Sequence, residues 1–413
     1  MAQTVIEKII SSHAGKKVKQ NEIAIVNVDG VMATDTTAPL TIKAFQEMGG
    51  TKIWDSNKMF LIIDHASPAP NERIANLHDL MRKFAKEQNI KIYDVGEGIC
   101  HQLMIENHHV KPGQLFLGAD SHTCTYGAIG AFATGVGSTD LAGVMLTGQT
   151  WLKVPETIKI VLIGTINDGV SAKDLILYVV GKLGIEGATY KAIEFTGTAI
   201  ESLSLDSRMT LSNMAIEMGA KACFVDTKGL ILPYEFEHIQ GDAGATYEKV
   251  LEFDLSNITP NVSIPHSPDS VKPISEIIGR PIQQAFIGSC TNGRLEDLHA
   301  AAKVLKNKKI DPNVRLIIAP ASRQVFLDAL KDGTIEILTT AGASFIPSGC
   351  GPCVGTHLGI PGNDENIISS TNRNFQGRMG NRNSNVYLAS PSTVAASALF
   401  GKITDPTTLR EEA

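Results

Sequence analysis

Apolar and polar positions along this chain predict short strands that repeatedly end in chemically active loops. Thr4 to Ser11 has a short helical pattern, and Ile23 to Val28 is an apolar run of strand character. The polar turn Asp35-Thr36-Thr37-Ala38-Pro39 is expected to start a helix carrying Ile42, Phe45 and Met48. Phe60 to Ile63 predicts a buried strand that runs directly into Asp64-His65. In α/β proteins, polar residues at the end of a buried strand open onto a cleft. Asn76 to Gln88 predicts an amphipathic helix and Ile90 to Val95 a strand, after which the loop delivers Gly98-Ile99-Cys100-His101. Leu115 to Gly118 is a further expected strand, ending in Asp120-Ser121-His122-Thr123. Three times a strand-like run leads to a histidine with a carboxylate in or near the same loop, which predicts one shared cleft.

The Gly/Ala-rich stretch Gly127 to Gly148 is expected as packed helix and turn at a domain edge. Beyond it, Ile158 to Ile163 and Ala192 to Phe195 read as strands, with Ala172 to Leu183 and Leu211 to Met218 as helices. This alternation belongs to a mixed or parallel α/β sheet. From Glu237 to Pro273 the chain turns polar and carries Pro260, Pro265, Pro268 and Pro273, which predicts a linker. In a third unit, the strand Gln284 to Ile287 enters a turn bearing Cys290, and Leu295, Leu298, Ala302 and Leu305 mark a helix. Val314 to Ala319 then reads as a strand and Arg323 to Leu330 as a helix stopped near Gly333. The expected division is 1–140, 141–275 and 276–413, since 413 residues exceed what a single core supports. No short internal repeat is evident.

Composition narrows the classes. With 43% apolar and 19% charged residues the chain reads as an ordinary folded protein. Its net charge of −6 supplies no basic field for nucleic acid. No run approaches the roughly 18 apolar residues of a membrane span, and the first residues lack a signal-peptide apolar segment. Six cysteines in so long a chain do not form a disulfide scaffold and predict a reducing, cytoplasmic setting.

The candidate chemistry centres on Gly349-Cys350-Gly351-Pro352-Cys353, with Gly288-Ser289-Cys290-Thr291-Asn292 as its partner. Two cysteines separated by two residues can turn both sulfurs to one metal, and a third thiol on a glycine-bracketed turn makes three corners. A structural zinc wants a fourth protein ligand, whereas three thiolates suit an iron-sulfur cluster with one open corner. Cys-Gly-Pro-Cys alone reads equally as a thioredoxin-like redox pair. Asp64-His65, His101 and Asp120-Ser121-His122 offer imidazoles whose tautomer and basicity a carboxylate can fix. Asn372-Arg373-Asn374 and Arg378 place cations in one glycine-containing loop, and the guanidinium fork suits a carboxylate.

Asp120-Ser121-His122-Thr123, Gly288-Ser289-Cys290-Thr291-Asn292, Ser348-Gly349-Cys350-Gly351-Pro352-Cys353 and Ser370-Thr371-Asn372-Arg373-Asn374-Phe375 together resemble the motifs of the aconitase superfamily. The resemblance runs from about Asp35 to Arg378 and is closest to the large-subunit branch of isopropylmalate dehydratases and homoaconitase-type relatives. It implies an α/β, aconitase-like large subunit with three α/β domains around a central cluster-bearing cleft. Cys290, Cys350 and Cys353 would hold a 4Fe-4S cluster whose fourth iron has no protein ligand. The implied carboxylate-histidine pairs are Asp64 with His65, Asp120 with His101, and Glu194 with His122. Asn372 would lie beside the cluster, while Ser121, Arg373 and Arg378 would bind substrate. The implied reaction is reversible dehydration of a small hydroxy-dicarboxylic or tricarboxylic acid, moving the hydroxyl to the neighbouring carbon. Thr34 stands where aconitase itself has a substrate-contacting glutamine, which argues against citrate. Residues 379–413 offer no candidate for the serine base of the family's swivelling domain. That domain is therefore expected on a separate small subunit, and the chain alone is expected to be inactive or nearly so. Neither nucleic acid nor a membrane is an expected partner. Cys100, Cys124 and Cys223 match no ligand position and are expected as buried packing.

Overall fold

The computed structural model describes residues 2–409. Near the N-terminus, β1 (Ile23–Asn27) pairs antiparallel with β7 (Gln149–Lys153) in a two-stranded ribbon. The first large sheet contains β2 (Gly30–Thr34), β3 (Met59–Ile62), β4 (Lys91–Tyr93), β5 (Leu115–Gly118) and β6 (Phe132–Gly135), in the order β4-β3-β2-β5-β6. All its pairings are parallel. Strands β2, β3 and β5 are buried along their whole length, which is why they appear in the sequence as continuous apolar runs without alternation. Beyond the expected helix and turn, the stretch after Gly127 contributes β6, a strand too short to announce itself by pattern.

The second sheet joins β8 (Thr157–Ile163), β9 (Ala192–Thr196), β10 (Ala222–Val225) and β11 (Lys249–Asp254) in the parallel order β10-β9-β8-β11. The third is built from β12 (Asn261–Ser263), β13 (Val271–Pro273), β14 (Gln284–Ile287), β15 (Arg315–Ile318), β16 (Ser344–Phe345), β17 (Asn366–Ser369) and β18 (Asn385–Leu388). Its order is β13-β12-β18-β17-β14-β15-β16. The segment expected as a linker therefore supplies β11 to the second sheet and β12 and β13 to the third. Its prolines allow this because β13 is an edge strand ending in Pro273, where a missing N–H costs no ladder bond.

The first and third sheets share a winding that the sequence does not reveal. The first sheet starts in the middle at β2, and the parallel part of the third, which follows its antiparallel edge pair β12 and β13, starts at β14; from there the chain adds two strands outward on one side. It then returns to add two more on the other. Such a reversal leaves a crevice at the carboxyl ends of the strands flanking it. In the first sheet these are β2 and β5, which lead to Asp35 and Asp120. In the third they are β14 and β17, which lead to Cys290 and Asn372. Both crevices face the same space.

Met1 and residues 410–413 lie outside the described residues, so the last positions of the 379–413 tail are not described. Among the described residues no helix is long and apolar enough to cross a membrane.

Candidate active site and cluster pocket

Where the crevices meet, a cavity of about 250 Å³ is lined by His65, His101, Asp120, Ser121, His122, Cys290, Cys350, Cys353, Asn372, Arg373 and Arg378. Every candidate named from the sequence except Asp64 and Glu194 therefore lines one cavity, and Asp64 bonds His65 directly. Thr36 also lines it, whereas Thr34 stands behind Thr36, its hydroxyl 2.9 Å from that of Thr36. A larger cleft of about 1250 Å³ contains none of these groups.

The imidazoles and carboxylates form a continuous network. His65 Nδ1 donates to Asp64 Oδ1 at 2.7 Å, and His101 Nε2 donates to Asp120 Oδ1 at 2.8 Å. Asp120 also accepts the His122 backbone N–H at 2.8 Å, and its second oxygen is 3.3 Å from His65 Nε2. Burial would raise the Asp120 carboxyl, but hydrogen bonds with His101, His122 and His65 hold it well below the usual carboxylate range. Burial likewise opposes charge on His65, but the Cys350, Asp64 and Asp120 groups around it raise its pKa well above the ordinary value. The loop carrying this pair is fixed from behind. Asp35 accepts the backbone N–H groups of Asp64, His65 and Ala66 at 3.2, 2.8 and 2.8 Å.

The partner expected for His122 is corrected. His122 Nε2 donates to Glu217 Oε1 at 2.8 Å, and Arg373 Nε donates to both Glu217 oxygens at 2.9 and 3.0 Å. Glu194 lies in the middle of β9, where alternation turns Ile193 and Phe195 into the second core and sends Glu194 to the opposite face. There it accepts from the Tyr247 hydroxyl at 3.1 Å, away from the cavity. Burial pushes its carboxyl up to about 7.

The sequence reading also missed Asn213, which is fully buried with Glu217 four residues further along the same helical stretch. Asn213 Nδ2 donates to Cys290 Sγ at 3.3 Å. Two buried polar residues at i and i+4 in an otherwise apolar stretch were the available signal, because buried polar groups demand partners. Lys173 was missed as well. Fully buried, it donates to the Ser370 and Thr371 carbonyls at 2.7 and 2.6 Å and to Asn292 Oδ1 at 3.3 Å. It thereby ties the Cys290 turn to the turn carrying Asn372 and Arg373. Burial lowers its ammonium to about 7 even though Asp297 works against the shift.

The three thiols suit an iron-sulfur group. Cys290, Cys350 and Cys353 are free and buried. Asn372 Nδ2 donates to Cys290 Sγ at 3.5 Å, and Arg378 Nη2 approaches Cys353 Sγ at 3.9 Å, so donors already point at sulfur. Burial drives the Cys290 thiol up to about 12 and Cys350 higher, so these sulfurs become thiolates only when a bound cationic group compensates them. A dithiol redox pair instead requires an accessible attacking sulfur, which neither Cys350 nor Cys353, both buried, provides. Arg378 Nε is buried without an acceptor among the described residues, leaving a donor for an anion. Cys124 and Cys223 pack in the second core, while Cys100 lines the cavity and its N–H donates to Asp64 Oδ2 at 2.8 Å.

The sequence pattern of the aconitase family (aconitate hydratase) matches residues 7–281 and 275–401. The chain belongs to this family, and membership implies an iron-sulfur cluster. Its relatives include the 3-isopropylmalate dehydratase large subunit 1 of Methanopyrus kandleri, 48% identical over 98% of this chain and 99% of that protein. The 3-isopropylmalate dehydratase large subunit of Elusimicrobium minutum is 50% identical over 98% and 99%. The probable methanogen homoaconitase large subunit of Methanosarcina mazei is 50% identical over 92% and 99%. Among solved structures, Thermococcus kodakaraensis aconitase X in its holo-form shares the fold. It has a TM-score of 0.54 at 13% identity, covering 91% of this chain and 90% of that one.

Proposed function

We propose that this chain is the large subunit of a hydro-lyase that interconverts 2-isopropylmalate and 3-isopropylmalate by dehydration and rehydration, a reaction of leucine biosynthesis. The observation that carries the reaction class is the convergence of three buried thiols, three carboxylate-paired imidazoles and two arginines on one cavity. Relatives named for 3-isopropylmalate, similar along the whole chain, support the substrate.

Cys290, Cys350 and Cys353 would hold a 4Fe-4S cluster. When bound, it supplies an open iron as a Lewis acid that weakens the bond to the departing hydroxyl. The protein's own part is binding and proton control. Arg378, with its unmet Nε donor, and Arg373, oriented by Glu217, would hold the substrate carboxylates, with Ser121 at the cavity wall. His101, fixed by Asp120, would deliver the proton to the leaving hydroxyl. Asp64-His65 and Glu217-His122 hold the flanking imidazoles in defined orientations. Asn213 and Asn372 would donate to the ligating sulfur of Cys290. The base that takes the carbon-bound proton belongs to a small subunit carrying the swivelling domain, as the large-subunit names of the relatives support. Free buried cysteines fit a reducing cytoplasm.

Dehydration by the reconstituted chain mixed with its small subunit tests this reading against isopropylmalate, homocitrate, citrate, citramalate and dimethylmalate. Isopropylmalate is expected to give the highest kcat/KM. A preference for homocitrate favours the homoaconitase reading that the Methanosarcina relative supports. If an intact cluster turns over none of the five, the hydro-lyase reading fails.

A further inference from the structure

We propose that, before a cluster is built, Asp64, His65 and Cys350 bind a single zinc ion that competes with cluster assembly. One ligand atom from each of these residues lies within 4.8 Å of the other two. All three are buried, at 0%, 9% and 5% exposure. Tetrahedral zinc, with bonds of about 2.0–2.3 Å, sets its ligand atoms roughly 3.3–3.7 Å apart. The Asp64-His65 pair, now 2.7 Å apart, needs to open by only about half an ångström while the thiol closes in.

The main chain already holds this geometry. The Cys350 N–H donates to the Asp64 carbonyl at 2.8 Å. Gly349 makes that approach possible, because a Cβ there would meet the same carbonyl oxygen at 2.9 Å. Asp35 clamps the backbone of Asp64, His65 and Ala66 from the other side. Side-chain support is also in place. Asp64 Oδ2 is occupied by the Cys100 N–H, leaving Oδ1 for a metal. His65 Nε2, 3.3 Å from Asp120 Oδ2, supplies the carboxylate-histidine support that metal-binding imidazoles use once Nδ1 turns to the ion.

One sulfur, one nitrogen and one oxygen, with a fourth position opening on the cavity, form a zinc-type donor set. Binding displaces the Cys350 thiol proton and the proton on His65 Nδ1, leaves Nε2–H facing Asp120, and transfers no electron. Because Cys290 and Cys353 are not among these ligands, the mononuclear site and the proposed cluster would share only Cys350. They exclude one another through that sulfur. The ion would also staple a loop of the first sheet to one of the third. Only the predicted competition rests on the cluster reading; the metal site stands on its own geometry.

The test uses the full chain freed of iron under anaerobic conditions, titrated with Co²⁺ as an optical probe and then with Zn²⁺ in competition. One cobalt per chain is expected, with tetrahedral visible bands and charge transfer from a single thiolate. Cys290→Ser and Cys353→Ser should keep the zinc Kd within about 3-fold. Cys350→Ser should raise it by at least about 100-fold, since losing even a supporting partner costs ~10–100-fold. Asp64→Asn, which preserves shape, should raise it at least about tenfold with an unchanged circular dichroism spectrum. Equal losses in Cys290→Ser, Cys353→Ser and Cys350→Ser would reveal a three-thiol site and overturn the proposal. Zinc-loaded chain should resist iron-sulfide reconstitution until a chelator is added. Reconstitution at an unchanged rate would overturn the competition while leaving the hydro-lyase reading intact.

Discussion

In the first sheet the reactive groups hold one another. Asp120 gathers His101, His65 and the His122 backbone, Asp64 holds His65, and Asp35 grips the loop from behind. In the third sheet, which winds the same way, the groups are held mainly by main-chain turns and buried cations. Lys173 binds the carbonyls of Ser370 and Thr371, while Arg294 donates to the Cys290 carbonyl at 2.8 Å and to that of Thr291. A proton-handling group needs its charge tuned by neighbouring side chains, whereas a thiolate ligand needs its sulfur placed and its charge met by the ligand it binds. Damage should therefore take different forms on the two sides of the cavity.

The largest expected effect lies on the third-sheet side. Cys353→Ser should abolish the visible iron-sulfur absorption after reconstitution and lower dehydration by more than about 10³-fold, because open-iron chemistry requires the assembled cluster. Iron analysis and turnover check it together. A chain that keeps full iron and activity without Cys353 would remove the three-thiol site.

On the first-sheet side, Asp120→Asn should leave the cluster spectrum intact and lower kcat by about 10²–10⁴-fold, the usual contribution of a positioned proton donor. If Asp120→Asn instead loses iron, the division of labour between the two sheets is wrong.

Much of this was legible in the sequence because both sheets deliver their chemistry from strand ends. Apolar runs at Phe60, Leu115 and Gln284 stop at Asp64-His65, Asp120 and the Cys290 turn, where polar and glycine-bracketed residues have no packing role to disguise them. The missed residues lie within regular structure. Glu217, Asn213 and Lys173 are buried in helical segments, and the partners that define them are remote in sequence, as with His122 and Glu217, 95 positions apart. Local pattern can mark such residues as needing partners, but it does not say which partners they meet. Glu194, paired with His122 only by the family resemblance, misled because a motif match carries no face, and the alternation of β9 turns that carboxylate away from the cavity. The shared winding escaped because topology constrains strand order while leaving loop lengths and side chains free.

Those two glutamates allow the finest discrimination. Glu217→Gln should cost about 10–10²-fold in kcat, since Arg373 and His122 both lose the charge that orients them, while Glu194→Gln should leave kcat within about 2-fold. The stability effect runs the other way. Buried Glu194, whose Oε2 has no hydrogen-bond partner among the described residues, has its carboxyl pushed up by burial to about 7 from an ordinary 4.5. Between those values the folded chain binds a proton that the unfolded chain has released. Stability is then highest below the unfolded pKa and falls as pH rises, levelling off above about 7. Ionised Glu194 therefore costs on the order of 3 kcal/mol at alkaline pH and nothing in acid. Glu194→Gln removes the ionisation and should raise the Tm of the chain at pH 8 relative to the parent, with the difference vanishing near pH 4. A pH-independent loss of stability would mean instead that Glu194 does not titrate between pH 4 and pH 8, and the raised carboxyl would be wrong.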